Sequence, residues 1–358
     1  MQTHTGGTTS VNFQLNRLDN LKISNTSFEL MSDHIKKQNN IDGAIIGANG
    51  KYLSSGIDVM QMLKRSKIKD MMGIFSYQAL MRKPIMLFLL PTQECEFEST
   101  KEELDRCYGL TDLFLNNIAQ CFSIACWLLK DSCVSPSYNY RINLLTGYYS
   151  QGNRQMDITL SDGSIKEIVF TDAEVYTAID KAYEILSHVL PHESKTKDVE
   201  MTISNGTIIW EVDKAMSTEG KSFARALLLL QEARKTGLIT TKIEKYCSLL
   251  ECLFVIEEQH KRNIARITAA YIGSNESEQK SIIENMKHAY GSRSDASHGS
   301  RLKFLKTNRS EDLTELSKTL DDYVRRVISK ILAQRELNYD ADHKSMVKKH
   351  FLQLAKSL

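Results

Sequence analysis

The sequence predicts an α+β domain followed by an all-α helical bundle. Three observations carry this. Alternating apolar runs separated by Gly-containing turn pairs occur only up to about residue 212. Every periodic segment beyond Ser222 has the helical period, and all four prolines lie at or before Pro191. The expected division is therefore an α+β domain over 1–212 and a helical bundle over 213–358, with a polar junction near 213–220.

Taken in order, Val11-Asn-Phe-Gln-Leu15 alternates as a half-buried strand does. Asn49-Gly50 between Ala44-Ile-Ile and Tyr52-Leu is a hairpin signal. Pro84 to Pro91 encloses a continuous apolar run, expected as a central strand. From about Thr100 to Lys130 the period is helical, with Cys121, Ile124, Ala125, Leu128 and Leu129 on one face. Asp157–Leu160 and Ile165–Phe170 flank Ser161-Asp-Gly-Ser164 and predict another hairpin. Thr171-Asp-Ala-Glu174 is a capping box opening a helix to about Val189. A last hairpin is expected around Asn205-Gly206. Five amphipathic helices follow: Phe223–Ala233, a second capped by Thr241-x-x-Glu244, a third ending at Gly273, a fourth through Ile282, Met286, Ala289 and Tyr290, and a long fifth over Leu313–Ile331.

Composition bounds the class. The 358 residues are 42% hydrophobic and 25% charged, which suits a soluble protein of two domains. The net charge of +2 hides an asymmetry: residues 1–220 hold 21 Lys/Arg against 27 Asp/Glu, residues 221–358 hold 25 against 17. A basic C-terminal half points mildly to a polyanionic partner. Seven Cys form no C-x-x-C pair, and most sit in apolar helical contexts. That argues against a disulfide scaffold and a Cys-rich zinc site, and for a reducing compartment. The N-terminal residues have no signal-peptide pattern, and Leu113–Leu129 is broken by Asn116, Asn117 and Gln120, so a buried helix is expected and not a membrane span. Cytoplasmic location, no membrane association, and neither cofactor nor metal are the expectations. His188 and His192 have no third ligand at a useful spacing.

One stretch carries chemistry. Tyr290-Gly-Ser-Arg-Ser-Asp-Ala-Ser-His-Gly299 sets Arg293 five residues before His298. An arginine can hold phosphate charge and a histidine can move a proton near neutral pH. Arg293 follows Tyr290 by three, Met286 by seven and Ile282 by eleven, so it continues the apolar stripe into a seam, where it needs an anionic partner. His298 falls about 140° away on a continued helix, at 100° per residue. Convergence of the pair requires the helix to end or bend between them, which Ser294, Asp295, Ser297 and Gly299 would permit. Arg301, Lys303, Lys306 and Arg309 follow, with no acid from Ala296 to Ser310, and suit a phosphate backbone. Each feature has a plainer reading: a capped helix end with a buried ion pair for Arg293 and His298, core packing for Tyr290, a boundary carboxylate for Glu251, a solvated loop for 301–309, an exposed helix face for Arg325-Arg326. Tyr138, Tyr140, Tyr148 and Tyr149 could stack bases, or simply pack.

Tyr290, Arg293-Ser294 and His298-Gly299, with Leu249-Leu-Glu-Cys-Leu-Phe254 and Asp321–Leu332, resemble the Apea-like branch of the HEPN superfamily, marked by Arg-x4–6-His near a helix end. The resemblance covers about residues 222–340. Many members carry Asn, Asp or His directly after the arginine; this chain has Ser294, then Asp295. The resemblance implies a metal-independent endoribonuclease that works as a homodimer through its bundle, with one composite cleft at the two-fold. His298 would take the 2′-OH proton or protonate the leaving oxygen, and Arg293 would stabilise charge on phosphorus. Ser294, Asp295, Tyr290 and Glu251 would support them, Glu251 by orienting the arginine across the bundle. Phage defence by abortive infection, or action as a toxin, is the implied setting, with tRNA, mRNA or phage RNA as target. The alternatives are an RNA-binding or sensor HEPN protein without cleavage, and a structural or dimerisation domain. Residues 1–212 carry no P-loop, dinucleotide fingerprint or nucleophile elbow; domain order suggests sensing or restraint.

Overall fold

A computed structural model describes residues 12–23, 53–55, 68–80, 83–90, 99–153, 157–189, 203–204, 207–208, 222–334 and 344–356. It divides into two units. The first takes Met1–Met156 and Lys166–Leu186, the second Asp157–Ile165 and Ser187–Leu358. The expected division at 212/213 thus falls inside the second unit, and a nine-residue segment from the N-terminal half, Asp157–Ile165, belongs with the helices.

The first unit is built on a sheet of five strands: β1 (Asn12–Asp19), β3 (Leu53–Ser55), β4 (Pro84–Leu90), β5 (Ser135–Asn143) and β6 (Tyr148–Asn153), in the order β3-β4-β1-β5-β6. All its neighbours are antiparallel. β4 is an interior strand, as its apolar run between prolines implies. β1 is the central strand and is buried on both faces, which corrects the half-buried reading of its alternation. One face carries Phe13, Leu15, Tyr140 and Ile142 against Ile68, Met72 and Leu80 of the short helices α1 (Ile68–Met72) and α2 (Ile74–Leu80). The other face meets α3 (Lys101–Leu129), opened by a Thr100–Glu103 capping box. Burial all around its C-terminal half explains its apolar run: Leu115, Ile118, Phe122 and Trp127 are each within 2% of full burial.

The hairpin expected over 157–170 does not form. Ile168–Phe170 (β7) pairs in parallel with β2 (Leu21–Ile23). Leu160 to Ser164 instead closes a turn, with Gly163 at φ +79°. Thr159 bonds the carbonyls of Arg234 and Thr236, and the Ser161 carbonyl accepts from Ser317 Oγ at 2.7 Å. The Thr171 capping box opens α4 (Asp172–Val189) as expected. Of the later hairpin, β8 (Ile203–Ser204) and β9 (Thr207–Ile208) are antiparallel. The Asn49-Gly50 hairpin and His192 lie outside the described residues, as does the side chain of His188.

The second unit is helical: α5 (Ser222–Lys235), α6 (Ile239–Phe254), α7 (His260–Ile272), α8 (Glu276–Ser297), a 3-10 turn at Lys303–Lys306, α9 (Ser310–Ala333) and α10 (Lys344–Lys356). α6 packs against α5, α7, α8, α9 and α10 and buries Ile243, Tyr246, Cys247, Leu250, Leu253 and Phe254. It starts two residues before Thr241, with Leu238 as its N-cap and no side-chain cap bond, so the expected capping box is not used. α10 was not anticipated; its Phe351 closes one end of the core against Phe254 at 4.6 Å between ring centroids. Cys121, Cys126 and Cys247 are buried, and burial pushes the Cys247 thiol far up. Among the described residues, no helix is long and apolar enough to cross a membrane.

Candidate functional site

α6 supplies the centre of the candidate site. Its last full turn presents Glu251 at the edge of the apolar face, with the side chain 15% exposed. α8 crosses α6 and presents Tyr290 and Arg293, three residues apart and so on one face. Tyr290 Oη donates to Glu251 Oε1 at 3.0 Å, and Arg293 Nη1 donates to the same oxygen. The guanidinium also lies 5.7 Å from the Tyr290 ring centroid. Arg293 does enter the seam, and its anionic partner is Glu251. Burial first, then the nearby Cys247 and Glu251, push the Tyr290 phenol far above its ordinary value. Tyr290 is therefore a fixed donor near neutral pH and no base.

A fourth group was missed in the sequence. α6 ends at Val255 and α7 begins after Gln259, both in the left-handed region, at φ 53° and 49°. This sharp connection returns His260, the first residue of α7, to the same carboxylate: His260 Nδ1 lies 3.4 Å from Glu251 Oε1. Nδ1 has no aligned hydrogen-bond partner among the described residues, and the side chain is 40% exposed. Nothing periodic marks such a turn. Two non-glycine left-handed positions within five residues are uncommon in any sequence.

His298 lies elsewhere. α8 runs unbroken through Arg293 to Ser297, and the His298 N–H still bonds the Ser294 carbonyl at 3.2 Å. The helix ends at His298, which is its C-cap. Gly299 at φ +63° allows Gly299 N to reach Ala296 O and Ser300 N to reach Asp295 O, the paired bonds of a Schellman motif. The break expected between Arg293 and His298 is absent, so the two point about 140° apart. His298 and Ser294 are exposed.

Asp295 supports the loop and does not touch Arg293. Its carboxylate accepts from Lys303 N at 2.8 Å and lies 3.4 Å from Lys303 Nζ, and the backbone bond holds its pKa below the ordinary value. Phe304 meets the His288 ring edge-on at 5.4 Å. The segment 301–309 thus holds a 3-10 turn at Lys303–Lys306 that is docked on α8. Of its exposed cations, Lys303 faces Asp295 and Arg309 faces Asp312 at 3.8 Å, whereas Arg301 and Lys306 have no ion pair among the described residues. Arg325 and Arg326 are no free face: Arg325 holds the buried Asp321 at 3.0 Å and Arg326 holds Glu278 at 2.8 Å. Among the described residues, no group of three or more His, Cys, Asp or Glu side chains is placed to hold a metal ion. No family model, no curated protein and no solved structure matches the chain.

Proposed function

We propose that the second unit is a HEPN-type bundle and acts as a metal-independent endoribonuclease of RNA. The observation that carries this reading is Arg293 itself. It is a guanidinium held at a helix seam by Glu251 and Tyr290, on the helix that ends at the exposed His298, beside the cationic turn 301–306. Arg293 has five N–H donors and spends one direction on Glu251, which leaves others for a phosphate. One copy does not bring Arg293 and His298 together, because a continuous helical turn separates them. A homodimer that joins the α8 ends of two copies would complete the site. The 2′-oxygen would then attack phosphorus as the bond from phosphorus to the 5′-oxygen breaks, His298 would take the 2′-OH proton or protonate the departing 5′-oxygen, and the products would be a 2′,3′-cyclic phosphate end and a 5′-OH end. Defence against phage, or toxin action, is the setting proposed for such a cleavage, in the cytoplasm.

A second reading, RNA binding without cleavage, is favoured by the Glu251 tether and by Ser294 and Asp295, neither of which approaches Arg293 as a polar auxiliary. Incubating the full chain with RNA and with DNA of the same sequence in EDTA separates the two. The first reading expects RNA cleavage, intact DNA, cyclic phosphate ends, and loss of cleavage in His298→Ala with binding retained. Salt-sensitive RNA binding with no cleavage by the wild type would leave the second.

A further inference from the structure

Three groups converge on one oxygen of Glu251. Tyr290 Oη and Arg293 Nη1 donate to Oε1 from α8, and His260 Nδ1 approaches the same oxygen to 3.4 Å from the start of α7. The guanidinium and this imidazole thus meet at a single carboxylate, near enough to each other for one phosphodiester to touch both. Within one copy, the histidine beside Arg293 is His260 and not His298.

The ring is set for proton transfer. Nδ1 is buried with no aligned partner, yet the side chain is 40% exposed. The exposure therefore falls on the rest of the ring, the side that carries Nε2. A carboxylate beside one imidazole nitrogen fixes the hydrogen there and leaves the other nitrogen its lone pair. Such contacts are often long until substrate docks. The surroundings also suit an anion. His260, Lys261 and Arg262 open α7, which has no acid in its first turn and no side-chain cap bond. Lys261 and Arg262 are exposed. The positive end of a helix macrodipole disfavours basic residues, so this turn works against its own stability unless negative charge meets it.

We propose that His260 is the general base of RNA cleavage and that His298 of the partner subunit is the general acid. This rests on the ribonuclease reading and divides between two residues the proton transfers which that reading leaves to His298. His260 Nε2 takes the proton of the ribose 2′-OH, and the freed electron pair forms the bond from the 2′-oxygen to phosphorus. The bond from phosphorus to the 5′-oxygen breaks, its electron pair leaves on that oxygen, and His298 of the partner subunit delivers a proton there. The products are a 2′,3′-cyclic phosphate end and a 5′-OH end, and solvent restores the two imidazoles. Glu251 faces the positive charge that forms on His260, and the remaining donors of Arg293 hold the phosphate. Attacking and leaving oxygens lie roughly in line on opposite sides of phosphorus, which one imidazole serves poorly and two from different copies can serve together.

The test separates the two transfers by the leaving group. The position at which the full chain cleaves an RNA strand in EDTA is mapped, and the same strand is made with sulfur in place of the bridging 5′-oxygen at that position. A thiolate, whose parent acid has a pKa of about 8.5, departs without a proton, so the sulfur strand needs the base and not the acid. His260→Asn keeps an amide near the place of Nδ1 and removes Nε2. A positioned acid or base contributes about 10²–10⁴-fold, so His260→Asn should slow cleavage of both strands by about a hundredfold or more. Its RNA binding and the hydrogen exchange of α6 and α8 should stay unchanged. His298→Ala should be as slow on the oxygen strand but within about tenfold of wild type on the sulfur strand. Cleavage of the oxygen strand by His260→Asn at the wild-type rate overturns the proposal and leaves the ribonuclease reading standing. Recovery of His260→Asn on the sulfur strand overturns it too, because the residue would then serve the leaving group. Lost activity with faster exchange in α6 and α8 assigns His260 to packing and also overturns it. If wild type leaves the oxygen strand intact, the ribonuclease reading itself fails and His260 has no cleavage to serve.

Discussion

Substituting Glu251 by Gln keeps the shape of the side chain and removes the charge that holds Arg293. The bond between them is charge-assisted and joins groups 15% and 28% exposed. Hydrogen bonds to charged groups contribute about 1.5–3 kcal/mol. Partial exposure of the guanidinium puts the expectation in the lower part of that range, about 2 kcal/mol. Glu251→Gln and Arg293→Met should each weaken α6–α8, because each leaves the other group in the seam without its partner. The double variant should cost less than the sum of the two by about 2 kcal/mol, since both ends of the pair are then gone. With two units in the chain, a single unfolding midpoint is a poor readout. Hydrogen exchange of peptides from α6 and α8 reads the local opening equilibrium, which a 2 kcal/mol change shifts by about thirtyfold. Additivity within about 0.5 kcal/mol would show that Glu251 does not hold Arg293, and the reasoning that makes this carboxylate the centre of the site would fail.

Three further outcomes are expected. Gly163→Ala should destabilise the second unit by more than the roughly 1–2 kcal/mol of left-handed strain, because its methyl group would also meet the Gly237 carbonyl; hydrogen exchange of peptides from the second unit checks this, and unchanged exchange would contradict it. Glu278 accepts from Ser274 N and Oγ and from Arg326, which together hold its carboxyl down to about 2 from 4.5. A depressed carboxylate contributes stability above its ordinary pKa and loses it as pH falls through the folded value, so Glu278→Gln should be less stable than wild type at pH 7, with the difference shrinking below pH 4.5 and vanishing only below about 2. Asp295→Asn should speed exchange of the Lys303 amide without changing that of the α8 core, since the carboxylate is what pins the 3-10 turn to the helix.

Periodicity carried most of the fold. The helices α5 to α9 of the second unit, the capping box at Thr171 and the proline-bounded strand β4 were legible because burial on one face writes itself into the spacing of apolar residues. β1 misled for a physical reason: Asn12, Gln14 and Asn16 alternate with Phe13 and Leu15 as a half-exposed strand would, yet the polar side meets polar α3 and not water. Asp157–Leu160 misled because turn chemistry at Ser161–Ser164 is local, whereas the choice of partner, the α5 C-terminus over Ile165–Phe170, is tertiary. In the site, helical phase was enough to put Arg293 on the seam, whereas Glu251 was singled out by its place on an apolar helix and by the family resemblance. Helical phase could not supply His260, which is returned by two left-handed residues. Nor could it show that a Schellman motif, closing after His298, keeps α8 straight between the arginine and the histidine.

That straight helix makes the central claim testable by mixing. Arg293→Ala and His298→Ala chains are each expected to be inactive on RNA in EDTA. When the two are unfolded and refolded together, the composite arrangement predicts that cleavage returns, because a mixed dimer unites the intact arginine of one copy with the intact histidine of the other. If each variant is inactive and the refolded mixture stays inactive although mixed dimers form, the two residues do not act across a two-fold, and the composite site is contradicted.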